Sequence, residues 1–275
     1  MQKLFAIIHE DADLLVVNKP ADLVCHPTKG DEYSSLISRV RLYLQNQRSP
    51  GGREGAETFP HLRSPISHLP SPISHLPTAP AHLVNRLDRE TSGVVVVAKN
   101  AAAAGELGKI FESRAAEKEY LAIVHGHVAA GQGTIAAPLG RDGRSRVAIK
   151  DCVRPDGAAA RTDFVVVRRF FRLSALSPQS SMFSLLRVWP RTGRKHQIRI
   201  HLAHLGHPIV GDKLYGGDED LYLALVERRL TPEQRARLIL PCHALHAASV
   251  GFFWRGGERS FTASPEPWFA EFVAG

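Results

Sequence analysis

Short apolar runs rich in β-branched residues recur along the chain between polar turns, a pattern that is typical of β-strands. The strongest run, residues 94–97, consists of four valines. Residues 7–24 predict two short strands around an acidic turn, and Pro20 limits the second one because proline cannot continue a central strand. Further strands are predicted over residues 119–124, 134–136, 162–167, 182–188 and 247–254.

Three segments instead repeat apolar positions every three or four residues, which predicts amphipathic helices. They are residues 34–44, residues 101–113 and a segment that begins after Thr192. In the last of these, Ile198, Leu202 and Leu205 share one face, and Gly206 is placed to adopt the left-handed conformation that often ends a helix. The many strands and few helices predict an α+β fold with a mixed, mostly antiparallel central β-sheet, flanking helices and basic loops.

Residues 45–81 differ in composition from the rest of the chain, because they are rich in Pro, Gly, Ser, Arg and His. Within them the sequence S-P-I-S-H-L-P at residues 64–70 is repeated at residues 71–77. A unit this short cannot form a solenoid repeat, so we expect a partly disordered, extended insertion loop. The remaining residues predict one domain over residues 1–275.

The composition indicates an anionic partner. With 44% hydrophobic residues the chain can bury a core, but its formal net charge of +8 exceeds what a stable fold requires. Nucleic acid is the first candidate partner, and an anionic membrane surface is the second. The sequence contains no long apolar span, and its N-terminal apolar run is too short for a signal peptide, so we expect a cytoplasmic protein.

The cysteines and histidines do not indicate a metal site. The three cysteines lie far apart without a C-x-x-C spacing, which supports neither a disulfide framework nor a thiolate zinc site. His196, His201 and His204 have spacings that suit one side of a helix, but no carboxylate accompanies them. We therefore expect no metal site.

The first concentration of chemistry is a polar turn before the four valines. Asp88 lies there between Arg86 and Arg89, and nearby positive charge favours the ionised form of a carboxyl group. A positioned carboxylate is what nucleophilic or proton-transfer chemistry at a sugar carbon requires. A surface turn with a solvated ion pair is the alternative interpretation.

The second concentration of charge surrounds the helix predicted after Thr192. Arg194, Lys195 and His196 fall at its start, where the helix dipole disfavours cations, so we expect a compensating phosphate or carboxylate. A solvated basic surface would have the same composition. A further basic stretch, which predicts a loop or hairpin along an RNA backbone, contains Arg141, Arg144, Arg146, Lys150, Arg154, Arg161, Arg168, Arg169 and Arg172.

Together these residues resemble the RluA-type family of RNA pseudouridine synthases. Four segments carry the resemblance: D-L-L-V-V-N-K-P at residues 13–20 with His26-Pro27, R-L-D-x-x-T-S-G at 86–93, K-E-Y-L-A at 118–122 and T-G-R-x-H-Q-I-R at 192–199. Weaker similarities occur at residues 138–142, 211–216 and 244–247. The second and fourth motifs are highly specific as a pair, and the matches span nearly the whole chain. Because the resemblance begins near Ile7, it implies no separate RNA-binding domain of the S4 type before it.

The resemblance implies the pseudouridine synthase fold and the isomerisation of uridine to pseudouridine in ribosomal or transfer RNA, without a cofactor. Asp88 matches the catalytic aspartate, which either attacks C1′ or removes a proton from C2′. Tyr120 matches the tyrosine that packs on the target base and helps to take the C5 proton. Arg199 matches the cation that pairs with the aspartate, and Arg86 the arginine that fills the space of a flipped-out nucleotide. Further RNA contacts are predicted for Arg194, Lys195, His196, Arg141 and Arg144.

Asn85 departs from the pattern, because the family usually has histidine there. Two other functions are compatible with parts of the sequence. A hydrolase acting on a nucleoside normally needs two carboxylates, and no second acid lies in a matching motif. A non-catalytic RNA-binding module would not need Asp88 and Tyr120, yet both are present. We expect a monomer without an obligate protein partner.

Overall fold

The computed structural model describes residues 5–27, 35–48, 79–174 and 177–275. The strands in these ranges are β1 (Ala6–Glu10), β2 (Leu14–Lys19), β3 (His82–Leu83), β4 (Ser92–Ala98), β5 (Glu117–His125), β6 (Gln132–Ala136), β7 (Leu139–Arg141), β8 (Asp151–Val153), β9 (Arg161–Ser174), β10 (Ser177–Pro190), β11 (Leu245–Trp254) and β12 (Gly257–Thr262). The helices are α1 (Leu36–Arg48), α2 (Ala101–Glu112), α3 (Gln197–His204), α4 (Asp220–Val226), α5 (Pro232–Leu238) and α6 (Pro267–Ala274).

One large sheet organises the described part of the chain. Its order is β1-β2-β4-β11-β5-β10-β9-β6, with β12 also paired to β11 and β3 to β4, while β7 and β8 form a separate hairpin. Strands β4 and β11 run parallel, and the other pairs described for this sheet are antiparallel. The predicted α+β class, with a mixed and mostly antiparallel sheet, is confirmed.

Strands β2 and β4 are buried on both faces, which explains their continuous apolar sequences. Val17 and Val95 point to the face that α1 covers, whereas Val16 and Val96 point to the face that α2 covers. Because successive side chains of a strand alternate between the faces, both helices are needed to bury these valines. The turn that carries Asp88 therefore leads directly into the most buried strand of the sheet.

Two predicted helices differ from the structure at their ends. Helix α1 extends to Arg48, so the first four residues of the expected insertion 45–81 are helical, while residues 49–78 with the tandem repeat lie outside the described residues. Helix α3 begins at Gln197 and ends at His204. Leu205, expected on its buried face, is consequently 40% exposed, whereas Gly206 has the predicted left-handed conformation with φ of +87°.

Several elements were not predicted from the sequence. Helices α4 and α5 have seven residues each, which is too short to show a clear helical period, and α6 and β12 were also missed. Strands β9 and β10 have 14 residues each, about twice their predicted length. None of the helices in the described ranges has the length and apolar character of a membrane span.

A row of paired residues across the sheet leads to the site. Lys19 on β2 pairs with Gly93 on β4, Gly93 with Ala247 on β11, and Ala247 with Tyr120 on β5. Gly93 has φ of +116°, and a β-carbon there would lie 2.2 Å from the carbonyl oxygen of Ala247. Glycine is required at this place because two strands approach closely. The glycine of the R-L-D-x-x-T-S-G motif is thus structural, and it brings the Asp88 turn next to Tyr120.

Candidate active site

A cavity lies where the turn before β4, strand β5 and the start of α3 meet. Its volume is about 660 Å³, within the range of roughly 300–1,000 Å³ that is usual for ligand sites. Its lining contains seven of the residues predicted for the site, namely Arg86, Asp88, Tyr120, Arg194, Lys195, His196 and Arg199. Arg141 and Arg144 lie outside this lining.

Asp88 begins a tight turn that is anchored to β4. The amide of Thr91 donates to the carbonyl oxygen of Asp88 at 3.2 Å, which closes the turn. Before it, the Asn85 side chain donates to the carbonyl of Val94 at 3.1 Å and accepts from the amide of Val96 at 2.8 Å. Asn85 thereby extends with its side chain the pairing that β3 makes with β4, so this departure from the family pattern has a structural role here.

Lys19 fixes the other side of the same turn. It is fully buried, and its ammonium group donates to the carbonyl oxygens of Pro20, Leu23 and Arg89 at 2.8–3.0 Å. Burial lowers its pKa to about 8. Since the Arg89 carbonyl follows Asp88 directly in the turn, Lys19 ties the end of β2 to the backbone that carries this aspartate.

Arg199 on α3 joins two carboxylates. One of its terminal nitrogens donates to Oδ2 of Asp88 at 2.8 Å, while Nε and the other terminal nitrogen bind Asp212 at 2.7 and 2.9 Å. The Asp212 side chain is fully buried, whereas that of Asp88 is 31% exposed. The predicted ion pair is therefore present, and it holds one oxygen of Asp88 while the group remains accessible from the cavity.

The electrostatics of this triad keep Asp88 ionised. Burial by itself would raise the pKa of Asp88, but the charge of Arg199 holds it below its usual value of 3.8. Burial likewise disfavours the charge of Arg199, yet Asp212 and Asp88 raise the pKa of the guanidinium. The pKa of Asp212 is lowered because Arg199 outweighs the effect of burial. All three groups are consequently charged at neutral pH.

A second buried cluster lies behind the turn. Glu90 forms an ion pair of 2.8 Å with Lys213 and accepts from the amide of His243 at 3.2 Å. The His243 ring lies 2.7 Å from the Thr91 hydroxyl, and burial, followed by the charge of Arg199, lowers its pKa to about 3. His243 is therefore neutral near pH 7, and this cluster holds the last two residues of the turn in place.

His196 and Tyr120 complete the cavity. His196 precedes α3 in a left-handed conformation, with Nδ1 2.9 Å from the Tyr215 hydroxyl and Nε2 3.9 Å from Oδ1 of Asp88. Burial lowers the pKa of His196, so the ring is neutral near pH 7. Tyr120 packs between the two parts of the core that flank the site. Burial and the charge of Asp88 raise the pKa of its phenol, which therefore stays protonated.

The cations predicted at the start of α3 lie immediately before its first turn, with His196 as the N-cap residue. They lie in a turn that the Gln197 side chain organises, because Gln197 accepts from the Thr192 hydroxyl at 2.6 Å and from the Arg194 amide at 3.1 Å. Lys195 pairs with Asp151 at 3.0 Å, and Nε of Arg194 donates to the Ala159 carbonyl. Thr192 and Gln197 of the motif are thus structural residues.

Arg86 differs from these cations, because its guanidinium makes no hydrogen bond or ion pair with any residue in the described ranges. Arg89, the other arginine beside Asp88, is exposed and pairs with Asp22 at 2.7 Å. Both arginines that flank Asp88 contribute to the lining of the cavity. Arg86 has a free charge there, whereas Arg89 is neutralised at the surface.

The predicted basic hairpin is present as β7 and β8. Seven of the nine cations in the basic stretch have close partners within the described residues: four bind carboxylates, and three donate to main-chain carbonyls. Glu219 accepts from Ser145, from the Arg146 amide and from Lys150, while Asp220 binds the Arg146 guanidinium. Arg154 binds Asp156, Arg161 binds Asp163, and Arg168, Arg169 and Arg172 donate to main-chain carbonyls. Arg144 remains 95% exposed at 4.0 Å from Asp142, and Arg141 has no side-chain partner among the described residues.

No group of three or more His, Cys, Asp or Glu side chains suited to a metal ion occurs in the described part of the chain. His201, part of the metal alternative, is instead a buried structural residue. Its ring nitrogens lie 2.8 Å from the Thr162 hydroxyl and 2.9 Å from the Ala137 carbonyl oxygen.

The sequence interpretation did not assign Asp212, Lys19, Glu90, Lys213 or His243 to the site. Asp212 could have been found by a physical argument. A guanidinium that holds one carboxylate oxygen at a cavity wall has donors left over, and burial requires a second acceptor for them. Asp212 is the one acidic residue of segment 211–216, which has a weak similarity to the family.

The arrangement is a carboxylate-centred site with cationic walls, built on a mixed and mostly antiparallel sheet. Residues 13–204 match the family described as RNA pseudouridylate synthase. Two solved human structures share the fold: RNA Pseudouridylate Synthase Domain Containing 1, with a TM-score of 0.67 and 23% identity over 98% of this chain and 88% of that one, and Domain Containing 4, with 0.66 and 23% over 98% and 91%.

Curated relatives are similar over much of the chain. An "Uncharacterized RNA pseudouridine synthase" from Aquifex aeolicus is 32% identical over 90% of this chain and 64% of its own length. "Ribosomal large subunit pseudouridine synthase D" from Haemophilus ducreyi is 33% identical over 77% of this chain and 52% of its own length. The chain thus spans between half and two thirds of these relatives. It belongs to the RNA pseudouridylate synthase family.

Proposed function

We propose that this protein isomerises uridine in RNA to pseudouridine, with Asp88 as the catalytic carboxylate. The observation that carries the proposal is the state of Asp88: it is ionised, accessible from a cavity large enough for an RNA base, and held on one oxygen by Arg199. Membership of the family and the joint presence of its motifs support the same activity.

The reaction balances without a further reagent. The N1–C1′ bond of the uridine breaks, the uracil turns in the cavity, and a bond forms between C5 and C1′. The proton on C5 is lost to solvent and N1 gains one, so that substrate and product are isomers. Asp88 has two possible roles, attack on C1′ or removal of a proton from C2′, and both use the ionised form that Arg199 stabilises.

The other site residues have roles that suit their environments. Tyr120 packs against the base, and its raised pKa favours packing over a role as an ionised base. Its help with the C5 proton stays a prediction. Arg86 fills the space left by the flipped-out nucleotide, a step that costs a few kcal/mol of unstacking. The predicted RNA contacts are Arg194, Lys195, His196, Arg141 and Arg144.

The hydrolase alternative has no support in the carboxylates near Asp88. A glycosidase needs a second carboxyl group that can reach the substrate. Asp212 has both oxygens bound by Arg199 and is fully buried. Glu90 is bound by Lys213 and the amide of His243. Neither is available as a second acid or base.

We take RNA of the large ribosomal subunit as the substrate, because relatives about one third identical carry that designation. Transfer RNA is the second candidate. Action as a monomer without a protein partner, the absence of a cofactor and a cytoplasmic location stay predictions from the sequence.

The activity can be tested with large-subunit ribosomal RNA labelled with tritium at C5 of uridine. The wild-type protein should release tritium, because C5 exchanges its hydrogen for a bond to C1′. Asp88→Asn should lower the rate at least about a thousandfold, while binding to the RNA is retained. Asp22→Asn removes an exposed carboxylate that pairs with Arg89 and should keep the wild-type rate. Unchanged turnover in Asp88→Asn would overturn the mechanism, and no release from ribosomal or transfer RNA would overturn the function.

A further inference from the structure

A second cavity opens from the first one. We call it the side groove; its walls are residues 111–118, which end α2 and begin β5, and residues 190–194, which follow β10. Its volume is about 400 Å³. Lys118, Gly193 and Arg194 line both cavities, so the side groove is continuous with the space in front of Asp88. Of the roles assigned above, only the RNA contact predicted for Arg194 involves a residue of its lining.

The side groove contains cations that the protein itself does not neutralise. Arg191 is paired, since it binds Asp163 at 2.7 Å, and Arg194 donates to a carbonyl. Arg114 and Lys118 make no hydrogen bond or ion pair within the described residues. Two carboxylates, Glu112 and Glu117, also line the groove. The cations outnumber them, and Lys118 is half-buried.

The unpaired charges lie close to each other. Burial lowers the pKa of Lys118, and the positive charge of Arg114 lowers it further. Two like charges at the mouth of a partly buried groove repel each other, and an anion between them would relieve both the repulsion and the loss of hydration. This local electrostatic arrangement favours an anionic ligand.

The backbone of Arg114 allows its side chain to be removed cleanly. Arg114 follows the end of α2 with φ of +63°, and the amides of Arg114 and Ala115 donate to the carbonyls of Phe111 and Ile110. This is the helix-terminating geometry in which glycine or asparagine is normally favoured. Glycine can therefore replace Arg114 and relieve its backbone strain, so the effect of losing the side chain can be measured without destabilising this turn.

We propose that the side groove binds the nucleotide that flanks the target uridine, with its phosphate between Arg114 and Lys118. An RNA strand that places a flipped uridine in front of Asp88 must also leave the cavity. The side groove is a continuous path out of it. Phe111 and Pro190 give the groove an apolar wall against which the flanking base can pack. This inference rests on the proposed action on RNA and adds a subsite to it.

The test uses Arg114→Gly, which removes the charge and the backbone strain together. A matched control exists on α4, because Arg228 also has a left-handed φ, of +57°, and the amides of Arg228 and Arg229 repeat the same hydrogen bonds after that helix. Arg228 lines neither cavity. Both glycine variants should keep or raise the melting temperature, so a change confined to Arg114→Gly cannot come from unfolding.

For Arg114→Gly we expect KM for ribosomal RNA to rise about three- to tenfold, with kcat within about twofold of the wild type. The slope of log Kd against log salt should fall by about one for a lost phosphate contact. Lys118→Met should weaken RNA binding in the same way. Arg228→Gly should match the wild type in all three quantities. Wild-type KM and salt slope in Arg114→Gly would overturn the subsite.

A neutral methylphosphonate linkage, placed singly on either side of the target uridine in a short RNA, locates the phosphate. At one of the two flanking positions, the neutral linkage should weaken binding of the RNA to the wild-type protein. The same linkage should have no additional effect on binding to Arg114→Gly. Additive losses at both positions would overturn the proposal. The binding assays use variants in the Asp88→Asn background, so they report on the groove even if no RNA is isomerised. Failure of the groove and failure of the proposed activity are thereby distinguishable.

Discussion

Two regions of the molecule hold their charges in opposite ways. One is the floor of the cavity, which Asp88, Arg199 and Asp212 form, and the other is the basic surface around the β7–β8 hairpin. On the floor, Asp88, Arg199 and Asp212 form one chain of ion pairs with buried members and fixed distances. On the surface, Arg146 and Arg144 are two residues apart in the chain, and the first is paired while the second extends into solvent. Burial is the main physical difference between the two regions.

That difference indicates which charged groups the fold holds in a single position. A buried charge without its partner is very costly, so each group on the floor has one position and one ionisation state. Exposed ion pairs contribute little to stability, and an exposed cation without a close carboxylate, such as Arg144, can bind a phosphate with release of counterions. The floor is therefore suited to hold a reactive carboxylate, whereas the surface is suited to bind an RNA backbone whose position varies.

The sharpest way to break the comparison is to remove one arginine from each region. Arg199→Met leaves the buried Asp212 and the partly exposed Asp88 without their partner and should lower the free energy of unfolding by about 3–5 kcal/mol. Arg187→Met removes a similar two-bonded pair with Glu119 at 2.6 and 2.8 Å, but this pair is exposed and should contribute about 1 kcal/mol or less. Urea denaturation of both variants measures the difference.

Equal losses in the two variants would contradict the distinction between the regions. Turnover provides a second measurement. Arg199→Met should also lose nearly all activity, because burial then raises the pKa of Asp88 with no guanidinium to oppose it. Arg187→Met should keep the wild-type kcat, since Arg187 lies outside the cavity lining.

Asp212→Asn tests whether the second carboxylate positions Arg199. Asparagine keeps the size of the side chain but gives up one of the two charge-assisted bonds to the guanidinium. We expect kcat to fall about a hundredfold, as for a small displacement of a catalytic group, with KM for RNA nearly unchanged. Glu219→Gln is the surface counterpart, because it weakens the contacts of Ser145 and Lys150 far from Asp88. It should leave kcat unchanged. An unchanged kcat with a raised KM for Asp212→Asn would argue against a positioning role.

Sequence reasoning reached the parts of the molecule that local pattern encodes. The α+β class, the Asp88 turn and the ion pair with Arg199 follow from hydrophobic periodicity and from motifs. Asp212 was missed because its contact with Arg199 depends on how α3 packs against a loop 13 residues further along the chain. The pairing of Arg146 with Asp220 was missed for the same reason, since the partners are 74 residues apart. Composition reveals an excess of cations but not which of them tertiary contacts neutralise.

The dependence of activity on pH tests the ionisation states of the groups on and beside the floor. The pKa of Asp88 lies below its usual value, and those of His196 and His243 below that of ordinary histidine, the latter at about 3. Asp88 is therefore ionised at higher pH, and activity should decline as pH falls through its lowered pKa, by up to about tenfold per pH unit. From about pH 5 to 7, kcat/KM should be flat at constant salt. A change in kcat/KM around pH 6.5 would indicate that a histidine titrates, contrary to the neutral state of His196 and His243.

The smallest expected effects are on the surface, where Arg144 and Arg146 form a matched pair. Arg144 is 95% exposed and has only Asp142 at 4.0 Å, whereas Asp220 and Glu219 already bind Arg146. Arg144→Ala should raise KM for RNA about two- to threefold and reduce the salt slope of binding by about one, as for a phosphate contact. Arg141→Ala should behave alike. Arg146→Ala should change neither quantity, because RNA gains nothing from a cation that must first leave its carboxylates. If Arg146→Ala has the larger effect, RNA displaces Glu219 and Asp220, and the hairpin is recruited by exchanging partners.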